Sequence, residues 1–157
     1  MVFGERLSFL QHVKYRPMAE LCVHLTFNGN CGQAMRFYHE CLGGHLSVQT
    51  LEDSPHAAEL PFDMQKYVVT SRLIRRGIRI NGSDLVEDEG LSKGNSVSIS
   101  LESTNEEELS FYYRCLSQEC ISSRPLTKNH WGQISGSITD KFGVHWLFIS
   151  TSSENSL

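Results

Sequence analysis

The stretch Trp131–Phe148, WGQISGSITDKFGVHWLF, decides how this chain folds. Gly132 and Gly136 sit among alternating polar and apolar residues, and Asp140-Lys141-Phe142-Gly143 supplies a turn with Asp first and Gly fourth. His145-Trp146-Leu147-Phe148-Ile149 follows, a run of bulky residues suited to a strand buried on one face or both. The stretch reads as a β-hairpin. It holds both tryptophans of the chain, the largest rigid apolar surfaces available, so it forms either the floor of a core or the wall of a pocket.

Working back from the hairpin, a short strand is predicted near Cys120–Ser123. A helix precedes it, capped by Ser103 or Thr104, with Glu106, Glu107 and Glu108 in its first turn and a buried stripe of Leu109, Tyr112, Tyr113 and Leu116. Before that, Ser96–Leu101 alternates strictly, with Val97, Ile99 and Leu101 on one face and Ser96, Ser98 and Ser100 on the other. The first half shows the same order. Leu21–Phe27 is a strand, Asn28-Gly29-Asn30 stops it, and Asn30 is placed to cap a helix. In that helix Ala34, Phe37, Tyr38, Cys41 and Leu42 recur at helical spacing, and Gly43-Gly44 ends it. His45–Leu51 is a strand, a polar loop runs from Glu52 to Pro61, and Tyr67–Leu73 and Gly77–Ile80 form two further strands around a tight turn. The acidic run Glu87-Asp88-Glu89 reads as a solvated loop.

The element order is thus strand-helix-strand-strand-strand, twice. It is a repeat of order rather than of residues, with a period of about 75 positions. One such module buries too little apolar surface to stand alone, whereas two would pair and enclose a cleft. The expected fold is α+β. Residues 18–157 form one domain of two modules, about 20–85 and 95–150, behind an arm at residues 1–17. Met18 opens what looks like a natural beginning, so the arm is an appendage or the product of an upstream start codon.

Composition narrows the function. The chain has 157 residues, 39% apolar and 20% charged, with a net charge of -4. That balance suits a soluble globular protein and leaves no electrostatic footprint for nucleic acid. Arg72, Arg75, Arg76 and Arg79 cluster, but Leu73, Ile74, Ile78 and Ile80 lie among them, as on the outward face of a strand or hairpin. No run approaches membrane-spanning length. The cysteines number 5, form no C-x-x-C pair and follow no secretory segment, so reduced thiols in a cytoplasm are expected.

Three segments together resemble a known family: HLTFNGNCGQAMRFYHECLGG at 24–44, INGSD at 80–84, and the hairpin quoted first. They are similar to the PhnB-like branch of the glyoxalase/bleomycin-resistance/extradiol-dioxygenase (vicinal oxygen chelate) superfamily. The resemblance implies two βαβββ modules in a half-open cup, a homodimer, and a small molecule bound in the cup. Metal-dependent members hold a divalent ion there. Carried over by position, the opening ligand falls at or beside His24, the last falls at Leu147, and Asn95–Ser100 offers no histidine between them. A catalytic metal needs about three protein ligands, so no intact metal site and no cofactor are expected, with His24 a remnant ligand or a hydrogen-bonding group of the pocket. The alternative is a metal-dependent isomerase, lyase or resistance-type transferase, its ion held by His24 and Asp84 or by the partner chain. PhnB-like sequences also carry a methyltransferase label. Gly29-Asn30-Cys31-Gly32 follows a strand and opens a helix, but strands follow Glu52 and Asp53, so the doubly wound setting of a nucleotide site is missing.

The candidate pocket residues are His24, Asp84, Trp131, His145 and Trp146. His24 shares a strand face with Cys22, and such a pair either binds a soft metal or holds a partly buried histidine on a backbone partner. His145 shares the parity of Leu147 and faces the cup if that position does, where it is a candidate acid or base. Asp84 either meets a polar ligand group or caps a loop. Trp131 and Trp146 either wall a pocket for a planar ligand or pack in the core. The serine face of Ser96–Ser100 meets water or lines a wet cavity. His39, His45 and His56 read as surface residues.

Overall fold

A computed structural model describes residues 20–84 and 90–152. The arm at 1–17 and the acidic run at 87–89 lie outside the described residues. The first module comprises β1 (Val23–Phe27), α1 (Cys31–Leu42), β2 (His45–Thr50), a one-turn helix α2 (Phe62–Gln65), β3 (Val68–Arg75) and β4 (Ile78–Asp84). The second comprises β5 (Ile99–Ser103), α3 (Glu106–Leu116), β6 (Ser122–Lys128), β7 (Ile134–Thr139) and β8 (His145–Ser150). Each module is a four-stranded mixed sheet, ordered β1-β4-β3-β2 and β5-β8-β7-β6, with one parallel pair, β1 with β4 and β5 with β8. This is the α+β fold of two βαβββ modules, open rather than closed.

Strand parity decides which face each sheet buries. In the first module Phe27, Leu73 and Ile80 turn toward α1, which answers with Ala34, Met35, Tyr38 and Leu42. In the second, Ile138, Trp146 and Phe148 turn toward the same core, which Leu109, Tyr112 and Leu116 of α3 complete. The two sheets therefore share one core through their helices. Burying these aliphatic and aromatic side chains contributes roughly 1.5–3 kcal/mol each before entropy is counted.

Several local expectations are corrected. Strand β5 begins at Ile99, not Ser96, because its partner β8 offers no pairing before Ile99↔Trp146; Val97 is left 77% exposed. The cap of α3 is Asn105, whose side chain accepts from the backbone N–H of Glu107 and Glu108. Ser103 instead accepts from the N–H of Asn105 and donates to Glu108, and with Tyr112 it holds that carboxyl below its usual range. Strand β6 runs well past Ser123 to Lys128. The loop after β2 contains short helical turns at Leu51–Asp53 and Ala57–Glu59.

The thiols are not all reduced. Cys41 of α1 and Cys115 of α3 form a disulfide, their Cα atoms 5.4 Å apart, while Cys22, Cys31 and Cys120 are free. The two helices meet at a spacing that admits the bond. Arg75 also departs from its neighbours. It shares the parity of Leu73, turns inward, and donates to the backbone oxygen of Leu42 at the end of α1 and to the Tyr112 hydroxyl at 2.7 Å. A guanidinium there satisfies a terminal carbonyl and complements the negative end of the helix.

Candidate functional site

The helices cover one face of each sheet and leave the other open. On the first sheet the pairing His24↔Asn81, Asn81↔Arg72 and Arg72↔Ser47 lays a polar row across all four strands. His24 Nε2 lies 3.0 Å from Ser83 Oγ, and Asn81 Nδ2 donates to Cys22 Sγ at 3.2 Å. Asn81 Oδ1 is buried with no partner among the described residues, an acceptor left open on this face. Arg79 pairs with Glu20 at the rim.

The second sheet presents a different set. Ser122, Thr139 and His145 stand in one row, and Arg124, Ser137, Leu147 and Ser100 in the next. They belong to a concavity of about 360 Å³ lined by Ser98, Ser122, Arg124, Ser137, Thr139 and His145, among others. Between the modules a cleft of about 860 Å³ opens along the unpaired edges of β1 and β5. Its lining is mainly apolar, with Leu21, Val23, Ile78, Ile80, Ile99 and Leu101 among the contributors, and Glu20, Cys22, His24, Arg75, Arg79 and Ser100 are its polar groups.

The candidate residues thus separate. His24 and Trp146 line the cleft between the modules, and His145 and Trp146 line the smaller concavity. Trp131 lines neither and is 88% exposed, in the turn between β6 and β7. Asp84 lies on the helix face, opposite to His24. Its carboxylate accepts from the backbone N–H of Cys31 at 3.0 Å and of Val68 at 2.9 Å. It is therefore the cap of α1, in place of Asn30, whose side chain makes no cap hydrogen bond. Burial pushes the neighbouring Cys31 thiol up to about 11, with the Asp84 charge adding to it and a Ser71 hydrogen bond opposing, so it stays a thiol at neutral pH.

One central residue does more than open the turn that its sequence predicts. Asp140 is fully buried. Its Oδ1 accepts from the N–H of Phe142 and Val144, both at 2.9 Å, and its Oδ2 from Tyr38 Oη at 2.7 Å and Trp146 Nε1 at 2.8 Å. Four donors satisfy the carboxylate and tie the hairpin of the second module to the helix of the first. Burial, then the Asp140 charge, raises the Tyr38 phenol far above its ordinary range. The aspartate opening a D-x-x-G turn shortly before a strand tryptophan was the available signal. The concavity residues Ser137 and Thr139 were likewise legible by parity opposite Gly136 and Ile138.

A sequence profile of the family described as 3-demethylubiquinone-9 3-methyltransferase matches residues 19–149. The chain belongs to this PhnB-like family. Protein PA1353 from Pseudomonas aeruginosa is 28% identical to this PhnB-like chain, with a TM-score of 0.71 over 85% of this chain and 100% of that one. The PhnB protein from Bacillus cereus is 19% identical, with a TM-score of 0.67 over 85% and 100%. A glyoxalase/bleomycin resistance protein/dioxygenase superfamily member from Sphaerobacter thermophilus is 18% identical, with a TM-score of 0.50 over 85% and 99%, and shares the fold.

The family's description names a methyltransferase, and the residues after β1 do not fit an adenosyl methyl donor. The Asp84 carboxylate already takes the Cys31 N–H at the N-terminus of α1, so that donor is not open to a ligand. A Cβ built at Gly29 comes 3.1 Å from the Tyr67 ring, so the turn is already closed by a side chain. The sheet is mixed, without the doubly wound order of a dinucleotide site. Among the described residues no three of His, Cys, Asp and Glu gather as a metal-ligand set, and no helix is long and apolar enough to cross a membrane.

Proposed function

We propose that this PhnB-like protein binds a small molecule as a homodimer, in a cup walled by the open sheet faces, without a metal ion of its own. The observation that carries this reading is an apolar cleft at the edges of β1 and β5 that His24 and Ser100 of the open faces also line, beside polar rows across both of those faces. A concave apolar site with a few convergent polar groups is the usual form of a small-molecule site. The unpaired edges of β1 and β5, with Leu21 and Val97 exposed beside them, favour a second copy as the cover. Leu147 stands where the superfamily's last metal ligand is expected and can coordinate nothing. The second reading, a metal-dependent isomerase, lyase or transferase, draws on His24, which sits on an open face where partner residues could add ligands.

Native mass spectrometry of protein purified without chelator or affinity metal tests subunit number and metal together. A dimer without stoichiometric metal is expected. One metal per chain would favour the second reading, and a monomer would remove the dimer. Binding itself is read from Trp146, which lines both concavities. In Trp131→Phe it is the only tryptophan, and a ligand in the cup should change its emission. A broad panel of small polar molecules that leaves this emission unchanged would count against the reading.

A further inference from the structure

We infer that the open face of the second sheet carries a subsite for a tetrahedral oxyanion, a phosphate- or sulfate-like group, held by Arg124, His145, Ser137 and the hydroxyls beside them. The inference rests on the reading that this face binds a small molecule, and it names the chemistry of one part of that molecule.

The concavity is lined by Ser98, Ser122, Ser123, Arg124, Ser137, Ile138, Thr139, His145 and Trp146. It contains one guanidinium, one imidazole and five hydroxyls. It contains no carboxylate, although the chain as a whole is acidic, with a net charge of -4. The nearest acid of this face, Glu102, stands one row further on, opposite Ile149, and accepts from Ser100 at 3.2 Å. Successive rows on one strand face are about 7 Å apart, so Glu102 stands two rows from Ser122, Thr139 and His145, with Ser100 of the intervening row as its partner. Asp140, though next to Thr139 in sequence, is on the core side with all its partners supplied.

The hydrogen bonds also link these groups to one another. Ser122 Oγ donates to Thr139 Oγ1 at 3.0 Å, and Thr139 Oγ1 lies 2.8 Å from His145 Nδ1. The Thr139 hydroxyl, which accepts from Ser122, either gives its proton to Nδ1 or accepts one from it, according to the imidazole tautomer. Either way Ser122, Thr139 and His145 form one connected row of polar groups on the open face. Arg124 has no carboxylate partner among the described residues. Its side chain stands across the β6–β7 ladder from Ser137. The set is therefore rich in donors, and the donors come from three strands in two adjacent rows. A group with several acceptor oxygens in three dimensions matches that arrangement better than a flat carboxylate, which a single guanidinium fork satisfies. Leu147, between Ser137 and Ser100, leaves the centre of the face without a competing ligand.

The test is titration of the full ¹⁵N-labelled chain with inorganic phosphate at constant ionic strength, with chloride and glycerol as controls. The amides of Arg124, Ser137, Thr139 and His145 should move together with phosphate and hold still with chloride. Arg124→Gln should weaken phosphate by about tenfold or more, and Ser137→Ala by about threefold, the scale of one charged and one neutral hydrogen bond. The Arg124 side chain is exposed, so the variant should keep its spectrum elsewhere. A response to phosphate no larger than that to chloride, or unchanged binding in Arg124→Gln, overturns the subsite. Glycerol moving these amides while phosphate does not also overturns it but leaves small-molecule binding on this face standing. Silence to all of them, together with unchanged Trp146 emission across the panel, removes both.

Discussion

Trp131 and Trp146 flank the same strand, and their surroundings are opposites. Trp146 is 1% exposed, donates its indole proton to Asp140 at 2.8 Å, and meets the Tyr38 ring edge-on at 5.4 Å between centroids. Trp131 is 88% exposed, and its backbone N–H is held by the Asn129 side chain at 3.0 Å while its ring lies beside His130. The difference lies in what can receive the indole N–H. A buried tryptophan needs an acceptor inside the core, and the D-x-x-G turn places one there. Trp131 sits in a turn, off the ladder, where nothing carries its ring inward.

The largest effect that would break this contrast is at Asp140. Asp140→Asn keeps the volume but turns one acceptor oxygen into a donor, leaving Tyr38 or Trp146 against an amide N–H. A loss of about 3–5 kcal/mol is expected in urea unfolding, as for other buried charge networks deprived of one member. A loss below about 1 kcal/mol would mean the network is decorative. Trp146→Phe should cost about 2–3 kcal/mol, combining a small cavity with the missing hydrogen bond.

The pH dependence sharpens the same side of the comparison. Tyr38 and Cys31 are both fully buried, and folding raises both above their ordinary values of 10.0 and 9.0, Cys31 to about 11. The folded chain keeps protons that the unfolded chain releases. Stability is therefore full below about pH 9 and falls as pH rises past it, by up to about 1.4 kcal/mol per pH unit for each proton. Unfolding midpoints from pH 7 to 11 check this, and Cys31→Ala should delay the onset toward pH 10. The smallest effect belongs to Trp131→Ala, within about 0.5 kcal/mol of the parent and with the same pH profile. A larger loss would show that the exposed ring is covered in solution.

The element order was legible because alternation, helical spacing and glycine punctuation are local signals. The helix stripe of Tyr38 and Leu42, the hairpin turn at Asp140 and the shared parity of His145 and Leu147 all stand in the chain as written. What depended on distant partners was not. Asn30 looks like a cap, but Asp84, |i−j| = 53 from Cys31, takes the hydrogen bond. Arg75 looks like one arginine of an outward cluster until the end of α1 arrives beside it. Ser96 and Val97 alternate correctly for a strand, yet β8 gives them nothing to pair with. Of the open faces, the residue sets follow from parity, whereas the meeting of Arg124 with Ser137 needs the β6–β7 register.

The Cys41–Cys115 bond gives the chain a topology that its sheets do not. It closes a covalent ring across a sequence separation of 74, enclosing β2, α2, β3, β4 and β5, with β1 and β6–β8 outside. A single backbone cut anywhere within that ring leaves two pieces that still travel as one molecule on a non-reducing gel and part only when a thiol is added. The bond also records which modules belong together. Were the two copies of the proposed dimer to exchange modules, the same pair of cysteines would join one chain to the other, and the dimer would survive denaturation as a single covalent band.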